Sequence, residues 1–545
     1  MKTASKLALI IIAVLSFMLP LNAATYYINP VDGDDLKKGL SKENAIKSLE
    51  RAGMLKLLPG DKLLLAGGMT HEGSLVLKDI SGTENNPVIV SAYYNQGENA
   101  HIDAAGYRNG ILLQNCSNIV VKNILITANG GGVKEEKRQD MRCGILVAPT
   151  RKGNYENIVL KNIAIKDVFF EDPGFNRGKD EVRSANGTQN YGWGIRFINY
   201  VDGALIDGVK IESCRVSNVA HTGIKFTARN RSIKNVKIYN NNVFETGGPG
   251  IQMSGVTGAH VNNNKVNYSG HEGDSRKWSR GSGLWTWSCT DVIIENNSFR
   301  NANGPGDSAG CHIDFNCTNV IVQYNLSENN AGGFCEILGN NHNCAYRYNV
   351  SINDGHRVKN KNGAFQEGKI FWLSGFVGKD RKRNGPFNSY FYNNTIYVKN
   401  DIVAKVAVDK ASEGVLIANN IFYIEGESKA VLGDQYKPEK EGESRVENIV
   451  FKNNLFLAPG NWPDEVIIHD DEPLFGNPGF VNPGGKEIED YISGNTDLIK
   501  DKGIVIQKIP GDNIGLFIGL NPKYDILGNE IKGLPDIGAI EMDKN

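Results

Sequence analysis

From about residue 100 onward, apolar and polar residues alternate in short runs bounded by glycine or asparagine. One set of runs starts with glycine and an apolar residue: Gly110-Ile111, Gly144-Ile145, Gly194-Ile195, Gly223-Ile224, Gly250-Ile251, Gly283-Leu284 and Gly310-Cys311. A second set ends at an asparagine, in most cases before an apolar residue: Asn123, Asn162, Asn242, Asn264, Asn297, Asn325, Asn349, Asn394, Asn420 and Asn454. From Asn242 the spacings are 22, 33, 28, 24, 45, 26 and 34 residues. A base period near 22 to 24 with longer excursions is the sequence sign of a β-solenoid whose coils carry inserted loops. Asparagine recurring at one corner suits left-handed turns and amide stacks between coils.

Period-two alternation then sorts the side chains. The apolar residue after each glycine points into the coil, so the next one points out. That outward ladder reads Leu112, Leu146, Arg196, Lys225, Gln252, Trp285, His312 and Phe334. Two residues further along, the same face carries Ile198, Thr227, Ser254, Trp287, Asp314 and Glu336. Gly310 leads to Asp314 and Gly332 to Glu336, so the two acids are 22 residues apart and are expected to be vertical neighbours. Stacked strands lie about 4.8 Å apart, and two carboxylates that close do not both ionise freely. Outward tryptophans at 285 and 287 suit stacking on sugar rings.

The ends read differently. Lys2 and Lys6, an apolar run from Leu7 to Leu19 and the small residues Ala23 and Ala24 describe a secretory signal peptide over 1–24, and hence a secreted or periplasmic protein. The run is too short for a membrane span. Residues 25–100 are expected to form an N-terminal cap and first coils, with an amphipathic helix over Ala45 to Leu57 that presents Ile46, Leu49, Gly53 and Leu57. The β-helix proper is expected over 101–460, and 461–545 as a closing segment. Loop insertions are read at Lys134 to Arg142, Phe170 to Gly192, His271 to Gly281 and His356 to Asn388, walling one face.

A net charge of −1 gives no bulk reason for nucleic acid or membrane as partner, and a monomer is expected. The inserted loops are nonetheless basic: Arg138, Arg142, Arg276, Lys277, Arg280, His356, Arg357, Lys359, Lys361, Lys379, Arg381, Lys382 and Arg383. That points to an anionic ligand such as a uronate or sulfated sugar. The eight cysteines are sparse and read as buried small hydrophobes, with a bridge between Cys311 and Cys335, two residues out of register, as the alternative. No spacing suggests zinc, no cofactor is implied, and no acidic cluster demands calcium.

The opening, including Pro59-Gly60-Asp61 before Leu63-Leu64-Leu65, and the close, Glu472 to Phe480 and Leu534 to Glu541, resemble secreted right-handed parallel β-helix carbohydrate-active enzymes. The resemblance implies an all-β, right-handed parallel β-helix acting on an acidic oligo- or polysaccharide. In some retaining β-helix glycosidases an aspartate nucleophile and a glutamate acid/base stand one coil apart. On that likeness Asp314 is the nucleophile and Glu336 the acid/base, beside His312, with Asp307 a spare carboxylate for either role. Arg196, Lys225, Gln252, Trp285, Trp287, His221, Arg276 and Arg280 are the expected substrate-binding residues. The rival is β-elimination from a uronate, with His221, Lys225 or His312 as base and Arg196 or Arg229 neutralising the carboxylate. A second rival is a glycan-binding solenoid without catalysis.

Overall fold

The computed structural model describes residues 23–93, 98–133, 142–176, 192–277, 280–431, 448–463 and 470–542. Three parallel sheets run its length, with 14, 12 and 14 strands among the described residues. Each coil places one strand in each sheet, and the next coil adds its strand alongside in parallel. The 12-stranded sheet matters most. Its strands are β1 (Leu75–Lys78), β2 (Asn109–Gln114), β3 (Arg142–Val147), β4 (Gly192–Asn199), β5 (Ile224–Ala228) and β6 (Ile251–Ser254). They continue as β7 (Leu284–Trp287), β8 (Cys311–Ile313), β9 (Gly333–Ile337), β10 (Lys369–Leu373), β11 (Ala404–Val408) and β12 (Ser428–Ala430).

The alternation rule holds along this sheet. Ile111, Ile145, Ile195, Ile224, Ile251, Leu284 and Cys311 are all fully buried in one continuous core inside the coils. The residues after them pair in register: Leu112 with Leu146, then Arg196, Lys225, Gln252, Trp285 and His312. The glycine column exists because a side chain has no room there. A Cβ on Gly194 would stand 2.4 Å from Val216 Cγ1 and 2.5 Å from the Gly223 carbonyl oxygen.

One corner is held by buried asparagines. Asn241 donates its amide to Asn264, and the chain continues through Asn297, Asn325, Asn349, Asn394, Asn420 and Asn454, each bond 2.9–3.0 Å long. Each acceptor oxygen also takes the backbone N–H of the asparagine before it, as at Asn297 (2.9 Å from Asn325 Oδ1). Asn454 hands the ladder to Asp470 at 2.6 Å. Two expectations are corrected. Asn242 is exposed and its neighbour Asn241 is the ladder member. Asn123 and Asn162 belong to an outer row, left-handed at φ 58° and 50°, where Asn162 donates to Asn123 at 2.8 Å.

The N-terminal helix α1 covers only Leu49–Gly53. Ile46 is instead in a parallel bridge to Ile28, and the Ser48 hydroxyl caps the helix by accepting from Arg51 N–H. Gly53 packs as closely as expected, for a Cβ there would lie 2.6 Å from the Val76 carbonyl oxygen. The span His356 to Asn388 is not one inserted loop, because β10 lies inside it. At the other end, Asp512 accepts from Tyr390 and Asn343, and Arg347 donates to the Gly519 carbonyl, pinning the closing segment along the outside of the coils. The segment proposed as a signal peptide lies outside the described residues, apart from Ala23 and Ala24. Among the described residues, no helix is long and apolar enough to cross a membrane.

Removing a buried ladder amide leaves two donors of the preceding coil unpaired, a loss of about 1–3 kcal/mol. Asn325→Ala is therefore expected to lower the urea midpoint measurably. Asn263→Gly, in the exposed outer row, keeps the left-handed turn at φ 54° and is expected to shift stability by less than about 0.5 kcal/mol.

Candidate active site

Outward residues of β4 to β8, together with the loops between coils, enclose a cleft of about 1000 Å³. Its floor carries Trp193, Arg196, Lys225, Gln252, Trp285 and His312, with Thr227, Ser254, Trp287 and Asp314 alongside. Arg280, Ser282 and Asp307 come from the loops before β7 and β8, and Phe376, Val377, Gly378 and Arg381 from the loop after β10. Trp287 is 40% exposed and rests on Phe315 at 5.0 Å between ring centres. Trp285 stacks on His312 at 5.8 Å. The result is an aromatic surface beside a group of acids.

The expected vertical pairing of Asp314 with Glu336 is corrected. Ala309 bridges to Gly333 and Ile313 pairs with Ile337, so the coil here is 24 residues long and Glu336 stands beside His312. Asp314 and Glu336 are diagonal neighbours, with backbones roughly 7–8 Å apart. The double glycine allows two alignments: Gly332 over Gly310 would put Glu336 over Asp314, whereas the observed register puts Phe334 in that column. Phe334 is therefore fully buried against Tyr346, not outward. Cys311 and Cys335 fall into register by the same shift, and all eight cysteines are free and buried.

Glu336 is only 6% exposed and is not among the residues lining the cleft. Asp314, with its side chain 22% exposed, and Asp307, at 32%, both line it. Arg280 holds Asp307 Oδ1 at 2.7 Å, and the Arg357 guanidinium donates to the Asp307 carbonyl at 2.9 Å. Asp307 and Ser308 are both left-handed, at φ 46° and 64°, which costs energy in non-glycine residues and is stored where the surroundings demand it. His312 lies between the acids: Nδ1 is 3.2 Å from Ser282 Oγ and Nε2 is 3.9 Å from Asp314 Oδ2.

Burial governs the protonation of this group. It pushes the Glu336 carboxyl up to about 7, against the pull of His312 and Lys369. Burial also raises Asp314 above the usual carboxylate range, while His312 opposes the shift. For His312 burial acts downward but is outweighed by Glu336 first, then Asp314 and Asp307, which lift the imidazole to about 9. An imidazolium is thus kept at neutral pH between a buried glutamate and an aspartate at the cleft wall.

The remaining expected residues divide. Arg196, Lys225, Gln252, Trp285, Trp287, His221 and Arg280 all line the one cleft. Arg276 does not. Its guanidinium is ion-paired to Asp274 at 2.8 Å, donates to Asn129 and to the Glu171 carbonyl, and lies over the Phe169 ring at 3.8 Å. Arg142 is spent inside the coil on the carbonyls of Ala128, Gly130 and Phe169, and Arg357 on those of Gln366, Gly304 and Asp307. Arg138 lies outside the described residues. Trp193 and Ser282 line the cleft but were not foreseen, because alternation fails at the corner glycines Gly194 and Gly283 that follow them. Among the described residues no three His, Cys, Asp or Glu side chains converge as a metal site.

A family model described as the right-handed beta helix region matches residues 194–365. The chain is 24% identical to a lacto-N-biosidase of Bifidobacterium longum subsp. longum, with 96% of this chain aligned to 36% of that protein. It therefore spans about a third of the relative's length. Among solved structures it is similar to the GH136 lacto-N-biosidase from Eubacterium ramulus. The selenomethionine derivative gives 21% identity and a TM-score of 0.51 over 75% of this chain and 68% of that one. The native protein gives 18% and 0.49 over 83% and 68%.

Glu336 is the largest upward influence on His312, so Glu336→Gln is expected to lower the imidazole titration below about 9, read by NMR of labelled histidine. The sign follows for stability. A raised histidine stabilises the fold below its ordinary range, and that contribution is lost as pH rises through about 9. In Glu336→Gln the loss is expected at lower pH. An unchanged titration would mean that Glu336 does not act on His312.

The resemblance read from the sequence holds for the architecture: the chain is a right-handed parallel β-helix, the fold of the carbohydrate-active enzymes it resembles.

Proposed function

We propose that the protein is a glycoside hydrolase acting on an oligosaccharide bound along the β4–β8 cleft, with Asp314 and Asp307 as the working pair. The observation that carries this reading is that both carboxylates open into one cleft beside Trp285 and Trp287, while Glu336 is buried on the rung beside His312 and does not line the cleft. Asp307 thus takes the role that the sequence reading gave to Glu336. The similarity to lacto-N-biosidases, glycosidases by name, supports the same reaction class.

In this mechanism Asp314 attacks the anomeric carbon as the anion, with the His312 imidazolium beside it. Asp307, parted from Arg280 and protonated as the sugar binds, gives its proton to the departing oxygen and then takes one from the water that frees the sugar. Glu336 is a positioning residue: it keeps His312 charged. Trp285 and Trp287 offer ring faces to sugar rings, and Ser282 orients the imidazole through Nδ1. Retention of anomeric configuration is part of the proposal. It requires the two carboxyls to lie about 5–5.5 Å apart when substrate is bound.

Asp314→Asn and Asp307→Asn are each expected to fold normally and to cut kcat by about 10²–10⁴-fold or more on an oligosaccharide the wild type cleaves. Azide should restore turnover to Asp314→Asn as a glycosyl azide of inverted configuration, and NMR of the first product should show the retained anomer. Full turnover by both variants would end the hydrolase reading. Azide rescue of Asp307→Asn in that manner instead would exchange the two roles.

One observation favours a second reading, β-elimination from a uronate. Burial, with Arg196 next to it, brings the Lys225 amine down to about 7, where an amine serves as a base. An unsaturated product absorbing in the ultraviolet, with Asp314→Asn still active, would put elimination in place of hydrolysis.

A further inference from the structure

Arg196 and Lys225 stand on adjacent rungs, paired in register, at the end of the cleft away from the acids. Lys225 is only 8% exposed. The face of Trp193 lies beneath both, 4.1 Å from the guanidinium carbon and 5.9 Å from the ammonium. Among the described residues, the charges acting on Lys225 are Arg196, which repels it, and the Cys143 thiol; no carboxylate is among them. Gln252 follows on the next rung, and His221 and Pro249 form the adjoining wall. A buried ammonium beside a guanidinium is unfavourable unless something of opposite sign meets it. Of the other cations lining the cleft, Arg280 is ion-paired with Asp307, and Arg381 is exposed. Among the described residues the Lys225 ammonium has no such partner, and Lys225 lines the cleft.

We propose that Arg196 and Lys225 form a subsite for an anionic oxygen group, a carboxylate or a sulfate ester, on a sugar bound three rungs from His312. Three rungs are roughly 14 Å, which leaves room for further sugar between this group and the bond cleaved. The guanidinium matches the two oxygens of such a group side by side, and the ammonium supplies a second contact. The aromatic face of Trp193 keeps both cations poised and dry. The subsite selects substrates by charge without touching the reacting atoms. Its role as a remote subsite rests on the hydrolase reading, but its binding of an anion does not.

The test is binding to the intact chain, read by calorimetry or ligand NMR at pH 6 and low salt. The probes are D-glucuronate, glucose 6-sulfate and glucose. One of the two anions is expected to bind at least about tenfold tighter than glucose, and added salt to weaken it. Whichever binds tighter identifies the group as carboxylate or sulfate. Lys225→Met and Arg196→Gln should each lower that affinity by roughly tenfold or more. Thermal melting checks that both variants fold. A pH series on the wild type gives a second reading that needs no loss-of-charge variant. Affinity should fall as pH rises through about 7, where Lys225 loses its proton, and Lys225→Arg should abolish that fall. The groups facing Lys225 are Arg196, Cys143, Trp193, Gln252 and His221, and the arginine variant separates lysine titration from that of His221.

Equal binding of glucose, no binding of either anion, or affinity untouched by both substitutions would overturn the subsite. Because the readout is binding, it survives or fails independently of turnover in Asp314→Asn and Asp307→Asn. If Lys225→Met leaves anion affinity intact and abolishes formation of an unsaturated product, the lysine is a base and the subsite is refuted.

Discussion

The hydrogen bonds of the corner asparagines decide where every other part of this molecule can be. A parallel coil must satisfy its backbone N–H groups where the chain turns out of one sheet, and there water is excluded. Each ladder oxygen takes both a side-chain amide and the N–H of the coil before it, so the coils are locked one on the next with no freedom to slip by a residue. A one-residue slip would turn every outward side chain inward. The cleft depends on that lock. Arg196, Lys225, Gln252, Trp285 and His312 come from five separate coils, and only their common register makes them a continuous floor.

The same register explains how charge is managed beneath the cleft. Glu336 falls beside His312 because the coil is 24 residues long, and it would have fallen beside Asp314 at 22. In the observed arrangement a buried acid meets a buried base, and each offsets part of the other's desolvation. An Asp–Glu column would have placed two acids side by side with nothing between them. The structure thus uses one carboxylate to hold an imidazolium and presents two others to the cleft. Arg142, Arg276 and Arg357 are also consumed internally, on backbone carbonyls at strand ends and in loops.

Much of this was legible in the sequence, and the failures have local causes. The coil repeat and the glycine column follow from the recurring Gly–apolar and asparagine spacings, and the outward ladder from Leu112 to His312 from period-two alternation, which strands obey wherever the backbone is regular. The reading failed at irregular points. Gly332-Gly333 offered two candidate corners, and the wrong one moved Glu336 by two positions. Trp193 and Ser282 sit just before corner glycines, where alternation no longer fixes direction. Basic loop residues looked like ligand contacts because a sequence cannot distinguish a guanidinium facing a cleft from one folded back on carbonyls.

Asp307 shows why a site is harder to read than a scaffold. Nothing periodic marks it, since it lies in a loop and owes its position to two left-handed residues, the Arg280 ion pair and the grip of Arg357 on its own carbonyl. Asp314 lies just past the end of a strand, where register governs it. A pair drawn from a loop and a rung can change its separation when a ligand enters, because the loop yields while the rung does not. That asymmetry suits a reaction in which one carboxylate must stay aimed at a carbon and the other must pass a proton first to one oxygen and then from another.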